Sequence, residues 1–297
     1  MGLLPRDLDI LPPSDDRVFK LLLTSQESKP VLIDLLSSVL QRSVMDVEVR
    51  NNEPPPETTE EKAERLDVNC RIDDDSQADV EMQASRIEED DDDRHQNLHG
   101  KSVYYLCDLH SSQPSKGIRR YDKLARTYQV TFCSYTVFHE RVNFVNFFSL
   151  RHDEDNGLLS DAIHVIYVEL SKLKELLQKP VQDMTDLEKW AIFFRYANDA
   201  RFRETVNNVI ESKEALQMAG NLLMSISQDE RERAVFRSRR MYQSDLQSNL
   251  ATAEDRGRRL GRSEGKIEIA RMMVAAGEPV EKIIRYTGLT QQEIASI

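Results

Sequence analysis

Apolar positions run at helical spacing in two early segments. After Asp15-Asp16, Val18, Phe19 and Leu21-Leu22-Leu23 fall at intervals of three and four. Pro30 opens a second such run through Leu40, with proline in the first turn, where its missing amide costs no hydrogen bond. Residues 44–49 predict a short strand. Residues 51–59, with Pro54-Pro55-Pro56, predict a loop. The period then drops to two. Leu66-Asp67-Val68-Asn69-Cys70-Arg71-Ile72 alternates apolar and polar, and after an acidic stretch Ala78-Asp79-Val80-Glu81-Met82-Gln83 alternates again, which predicts a β-hairpin. Six consecutive carboxylates at 88–93 predict an exposed, mobile loop. Helical spacing resumes at 98–109, with Val103, Leu106, Cys107 and Tyr105 as the inner face, and 111–117 is a turn. Segments 128–138, 142–150 and 164–170 are rich in β-branched and aromatic residues and predict strands. Helices follow at 187–197, which carries the single tryptophan, Trp190, and at 213–226. The tail predicts helices at 267–276 ending at Gly277, at 280–286 after Pro279, and after Thr290, where Thr290-Gln291-Gln292-Glu293 has the form of a capping box. Strands with helices before and after indicate an α/β core with a C-terminal helical region.

Composition narrows the function. The 297 residues carry a formal charge of −12, 39% hydrophobic and 31% charged side chains, which describes a folded, polar chain with room for a sizeable core. No stretch approaches a membrane span, and Met1–Arg6 lacks the features of a signal peptide, so a cytoplasmic protein without membrane partners is expected. Cys70, Cys107 and Cys133 are odd in number and far apart, which argues against a disulfide framework or zinc ribbon. Charge is unevenly placed. Residues 231–297 hold 13 basic and 9 acidic side chains, and the rest of the chain holds 27 and 43. An acidic front argues against a protein that coats nucleic acid, but it allows a local acidic site that binds a metal, which in turn meets phosphate.

The hairpin supplies such a site. Asp67, Asn69 and Arg71 share one face of the first strand, and Asp79, Glu81 and Gln83 one face of the second. If Asp73–Asp75 is the turn, Ile72 faces Ser76 and Asp67 faces Glu81. Directly opposed carboxylates are close enough to hold one divalent cation. A two-residue turn would shift the register and separate them. Hard oxygen ligands suit Mg²⁺ or Mn²⁺ and metal-assisted hydrolysis, with Gln83 placed to bond water or a phosphate oxygen. A hairpin with one solvated face would show the same alternation.

Other segments offer weaker chemistry. His95 and His99 are spaced for one helical face but lack a third zinc ligand, so a polar helix start is favoured. Tyr104-Tyr105 could stack on bases, with packing the favoured role, and Lys101 is the better phosphate contact. Arg256, Arg258, Arg259 and Arg262 could follow a DNA backbone, or form a solvated helix or linker interrupted by Gly257, Gly261 and Gly265. The last two helices have a helix-turn-helix form with Gln291 and Gln292 early in the second. Docking on the core or homo-oligomerisation fits them equally.

The motifs together resemble the recombination-promoting nucleases (Rpn), transposase-like PD-(D/E)xK proteins. Asp15-Asp16-Arg17-Val18-Phe19-Lys20 resembles the family's opening D-x-x-F-K motif. Leu66-Asp67-Val68 resembles its strand with the first catalytic aspartate, and Val80-Glu81-Met82-Gln83 its E-x-Q, where other PD-(D/E)xK nucleases carry E-x-K. Lys101–Tyr105, Ser112-Gln113, Gly117, Tyr121, Val168-Glu169-Leu170, Trp190, Glu268–Arg271 and Ile283–Thr290 follow in order. The resemblance implies a restriction-endonuclease-like αβββαβ core whose mixed sheet is flanked by helices. It also implies Mg²⁺- or Mn²⁺-dependent cleavage of DNA in recombination or transposon-like mobility. Asp67 and Glu81 would be metal ligands, Gln83 would stand in the usual lysine position, and Asp16 would be an auxiliary acid. The expected organisation is a nuclease-like domain over 12–175, a helical region over 176–253 and a basic tail over 254–297. Two other classes stay open: a catalytically inactive DNA-binding or recombination-accessory protein, and an oligomerising interaction module.

Overall fold

The computed structural model describes residues 2–50, 68–84, 92–113 and 120–297. They form two compact units, Met1–Ala234 and Val235–Ile297.

In the first unit, α1 (Asp16–Thr24) starts where the Asp15 carboxylate accepts hydrogen bonds from the amides of Arg17 and Val18, at 3.1 and 3.3 Å. The second helix, α2 (Lys29–Leu40), has the expected proline in its first turn. Three strands follow: β1 (Val47–Val49), β2 (Val68–Ile72) and β3 (Gln77–Gln83). The β2–β3 turn is Asp73-Asp74-Asp75, with Asp75 at φ 66°. This is a three-residue hairpin loop closed by a left-handed residue. Ile72 donates its amide to the Ser76 carbonyl at 2.8 Å, and Val68 pairs with Val80, so the register is the predicted one. The loop expected at 51–59 and the residue Asp67 lie outside the described residues.

α3 (Asp92–Ser111) crosses from β3 to β4 (Thr127–Cys133), and β5 (Val145–Arg151) and β6 (Leu158–Glu169) complete the sheet. The strand order is β1-β2-β3-β4-β6-β5, with β3, β4 and β6 parallel and the other pairs antiparallel. The connectivity through β4 is αβββαβ, as the family resemblance implies, preceded by one extra helix.

Pleating gives the sheet two unlike faces. One is apolar: Val80, Met82, Val130, Phe132, Ile166 and Val168 are buried. Phe132 meets Phe19 of α1 at 5.9 Å and Phe194 of α4 (Asp186–Tyr196) at 5.3 Å. α5 (Arg203–Glu211) and α6 (Glu214–Gln228) complete this helical layer. Buried Trp190 donates Nε1–H to Asp34 of α2 at 2.8 Å, and Lys213 reaches the other Asp34 oxygen at 2.7 Å. The proline-rich start packs here too. Leu4, Ile10 and Leu11 are buried, and Leu4 and Asn207 exchange two hydrogen bonds of 2.9 and 3.0 Å.

Several expectations need correction. Asp92 and Asp93 begin α3 rather than lying in a loop, and 88–91 are outside the described residues. The inner face of α3 is Leu98, Ser102, Leu106 and Leu109, while Val103, Tyr104 and Cys107 are exposed. β4 stops at Cys133, and β6 begins six residues earlier than expected, at Leu158, with a register shift against β5 at Ser149/Leu150. The helix α5 was not foreseen.

The second unit contains most of α7 (Glu230–Ala275), followed by α8 (Val280–Thr287) and α9 (Gln291–Ala295). The glycines at 257, 261 and 265 do not interrupt α7. Gly277 and Gly288, at φ 73° and 68°, end α7 and α8. Thr290 and Glu293 form the predicted capping box. Ala270, Ile283, Leu289 and Ile294 make a small core, so the end of α7 packs with the two terminal helices.

Candidate functional site

The other sheet face is polar and buried under α3. Asp79, Glu81 and Gln83 point to it from β3. In β4, Gln129 lies beside Asp79, Thr131 beside Glu81 and Cys133 beside Gln83. In β6, Tyr167 extends the Glu81–Thr131 row and Glu169 the Gln83–Cys133 row. Asp79, Glu81, Gln129, Thr131 and Glu169 are each at most 1% exposed. The hairpin face is therefore not a solvated one.

Glu81 stands at the centre of the described site. Its Oε2 accepts from Lys101 Nζ of α3 at 3.2 Å and from Gln83 Nε2 at 3.3 Å. A carboxylate this buried persists when it is paired and hydrogen-bonded. Next to it Gln129 donates to Asp79 at 2.8 Å, and Ser102 bonds the Tyr167 phenol at 2.8 Å, tying α3 to β6. Burial, reinforced by Glu169 and Glu81, pushes the Cys133 thiol well above its ordinary range. Burial likewise raises the Tyr167 phenol, with Cys133 and Glu81 adding to the shift and the Ser102 hydrogen bond opposing it. Both groups are neutral at physiological pH.

Glu169 has a different role. It accepts from the amides of Val137 and Phe138 at 2.7 and 3.0 Å, from Asn146 Nδ2 at 2.8 Å and from Lys172 Nζ at 2.7 Å. Four donors fix the chain after β4 and leave this carboxylate a structural anchor.

Of the residues singled out from the sequence, Glu81, Gln83 and Lys101 come together. Asp67 lies outside the described residues. Asp16 is in the first turn of α1, whose Phe19 packs on the opposite, apolar face. Arg256, Arg258, Arg259 and Arg262 are exposed on α7 in the second unit, and Arg258 pairs with Glu254 at 2.6 Å. His99 is not part of a polar helix start: its ring stacks on Phe138 at 5.3 Å. Asp79 lies on the expected face, beside Glu81, but its buried companions Gln129, Thr131 and Tyr167 were missed. The alternation of Thr127, Gln129 and Thr131 along a strand was the signal that could have found them.

Hard carboxylate oxygens suit Mg²⁺ or Mn²⁺, which retain waters and need only one or two carboxylates. Glu81 fits such an ion if the Lys101 ammonium gives way. Among the described residues no three His, Cys, Asp or Glu side chains gather as a metal cluster.

The αβββαβ connectivity, the mixed sheet and the acidic strand on its polar face define a restriction-endonuclease-like α/β protein. A family model described as PD-(D/E)XK nuclease family transposase matches residues 13–253. The chain belongs to that family. Neither a curated protein nor a solved structure matches it.

Proposed function

We propose that the protein is a divalent-metal-dependent DNA endonuclease acting in recombination or transposon-like mobility. The observation that carries this is Glu81, a buried carboxylate on β3 that receives Gln83 from its own strand and Lys101 from α3, in a chain of this nuclease family. Glu81 and Asp67 would hold Mg²⁺ or Mn²⁺. Such an ion lowers the pKa of a bound water and offsets charge on the scissile phosphate. Gln83 orients water or a phosphate oxygen. Lys101 supplies the positive charge that Gln83 lacks, and Asp16 is the auxiliary acid. Arg256, Arg258, Arg259 and Arg262 follow the DNA backbone, which fits a nuclease-like domain over 12–175, a helical region over 176–253 and a basic tail over 254–297. A cytoplasmic protein, with the C-terminal helices able to join copies, completes the proposal.

One observation favours a catalytically inactive DNA-binding relative: the Lys101 ammonium is bonded to an oxygen of Glu81, the carboxylate that would hold the metal. Supercoiled plasmid incubated with Mg²⁺, Mn²⁺ or EDTA separates the two. Nicking that requires metal and is lost in Asp67→Ala and Glu81→Ala supports the nuclease. DNA binding without nicking under either metal supports the inactive relative. Nicking that survives both substitutions places the site elsewhere.

A further inference from the structure

Beside the polar face lies a cavity of about 190 Å³, lined by His99 and Val103 of α3, Phe138 of the β4–β5 connection, Phe148 of β5, and Val165 and Tyr167 of β6. Its walls are aromatic plates. His99 stacks on Phe138 within 8° of parallel, and Tyr167 stands edge-on to both Phe138 and Phe148. The Tyr167 hydroxyl is engaged by Ser102, so apart from the His99 imidazole the cavity presents apolar side chains and ring faces. A cation guards it: the Arg141 guanidinium lies 5.6 Å from the ring centres of both Phe138 and Phe148.

Its position relative to Glu81 follows from the strand register. Glu81, Thr131 and Tyr167 are neighbours in one row across β3, β4 and β6. Adjacent strands are about 4.8 Å apart, so Tyr167 stands roughly 10 Å from Glu81. That is the reach of a single nucleotide from its phosphate to its base. The cavity holds one planar ring system and is too small for a base pair.

We propose that this cavity receives one unstacked base of the DNA strand whose phosphate lies at Glu81, with Arg141 answering the charge of an adjoining phosphate. The proposal rests on the nuclease function above and adds the form of its substrate, a strand with at least one base out of the duplex stack. Stacking tolerates any base, so little sequence preference follows from the ring faces.

The test uses the intact chain in EDTA and two fluorescein-labelled single strands of equal length. One is abasic throughout, and the other carries a single 2-aminopurine. With only one base present, it cannot be confused with a neighbour. The wild type should bind the one-base strand about tenfold more tightly, the effect of stacking one base on aromatic side chains. Val103→Trp, which fills the cavity from an exposed position, should erase that difference while leaving affinity for the abasic strand unchanged, and Phe148→Ala, which removes one wall and one of the rings under Arg141, should erase it as well. Equal wild-type affinities, or a difference that survives in both variants, overturns the proposal. Plasmid nicking on the same preparations keeps the two proposals apart. Nicking lost in Glu81→Ala, with equal affinities for the two strands, refutes the base cavity alone. Neither binding nor nicking refutes both.

Discussion

Replacing Lys101 by methionine asks what holds a buried carboxylate in place. Glu81 is 1% exposed and takes the Lys101 ammonium at 3.2 Å. At that separation the bare attraction is about 5 kcal/mol for an effective dielectric of ~20. Lys101 keeps 37% of its side chain exposed, so water screens the pair and desolvation offsets much of what remains. A net coupling of about 1–2 kcal/mol is expected. A double-mutant cycle of Lys101→Met and Glu81→Gln, followed by urea unfolding, measures it free of the other contacts of each residue. Glu81→Gln keeps the shape and an acceptor oxygen, so the cycle reports the charge. Coupling within about 0.3 kcal/mol of zero would refute the reasoning and return Lys101 to solvent. Mg²⁺ added to the same proteins extends the test. The melting temperature should rise with Mg²⁺ in the wild type and in Lys101→Met, and stay fixed in Glu81→Gln.

Asp34→Ala removes the acceptor of the fully buried Trp190 N–H and one partner of Lys213. It should cost about 2–4 kcal/mol, or roughly 5–15 °C in a thermal melt, and Asp34→Asn should cost less. Ellman's reagent should titrate one thiol, Cys107, in the native chain and all three after unfolding, because Cys70 and Cys133 are buried. Burial pushes the Cys70 thiol from 9.0 up to about 12 and raises Cys133 as well, so the folded thiols keep their protons where unfolded ones ionise. The contribution of these two thiols to stability should therefore be constant below about pH 9 and be lost as pH rises toward 12, by up to about 1.4 kcal/mol per unit and thiol, which urea midpoints of the wild type against Cys70→Ala across that range check. Alanine at Gly257, Gly261 and Gly265, each with open space around its Cα, should stabilise α7 by about 1 kcal/mol per site in a far-UV melt.

Local chemistry carried much of the fold into the sequence. The acidic three-residue turn set the β2–β3 register, and the alternation on each side placed Glu81 and Gln83 on one face. Thr290 with Glu293 marked the start of α9 because that capping pattern satisfies two amide donors at once. What stayed hidden depended on tertiary context. On α3, hydrophobicity chose Val103 and Cys107 as the inner face, yet the sheet beneath is polar and draws in Ser102 and Lys101 instead. On α5, the buried stripe is only Val206, Val209 and Ile210 beside Arg203, too short to stand out from its polar neighbours. On α7, glycines at intervals of four read as interruptions, but each costs only about 1 kcal/mol in a helix of 46 residues.

The two faces of the sheet divide stability from chemistry, and Thr131→Val distinguishes them. The apolar face packs Phe132 between α1 and α4 and stabilises the fold by burial. Its polar counterpart sequesters hydroxyl, amide and carboxylate groups whose desolvation must be offset. Thr131 Oγ1 has no hydrogen-bond partner among the described residues, although it sits between Glu81 and Tyr167 in the register. Valine matches its shape and removes the stranded hydroxyl, so the variant should be more stable by about 1 kcal/mol. A protein selected for stability alone would gain from that substitution without penalty. If the row from Glu81 to Tyr167 serves DNA cleavage, the stabilised variant should nick plasmid more slowly than the wild type, the trade-off expected where a polar site is retained for its chemistry. Unchanged nicking at higher stability would confine the working part of that face to Glu81, Gln83 and Lys101. Lower stability would mean that the hydroxyl holds a bound water and is structural.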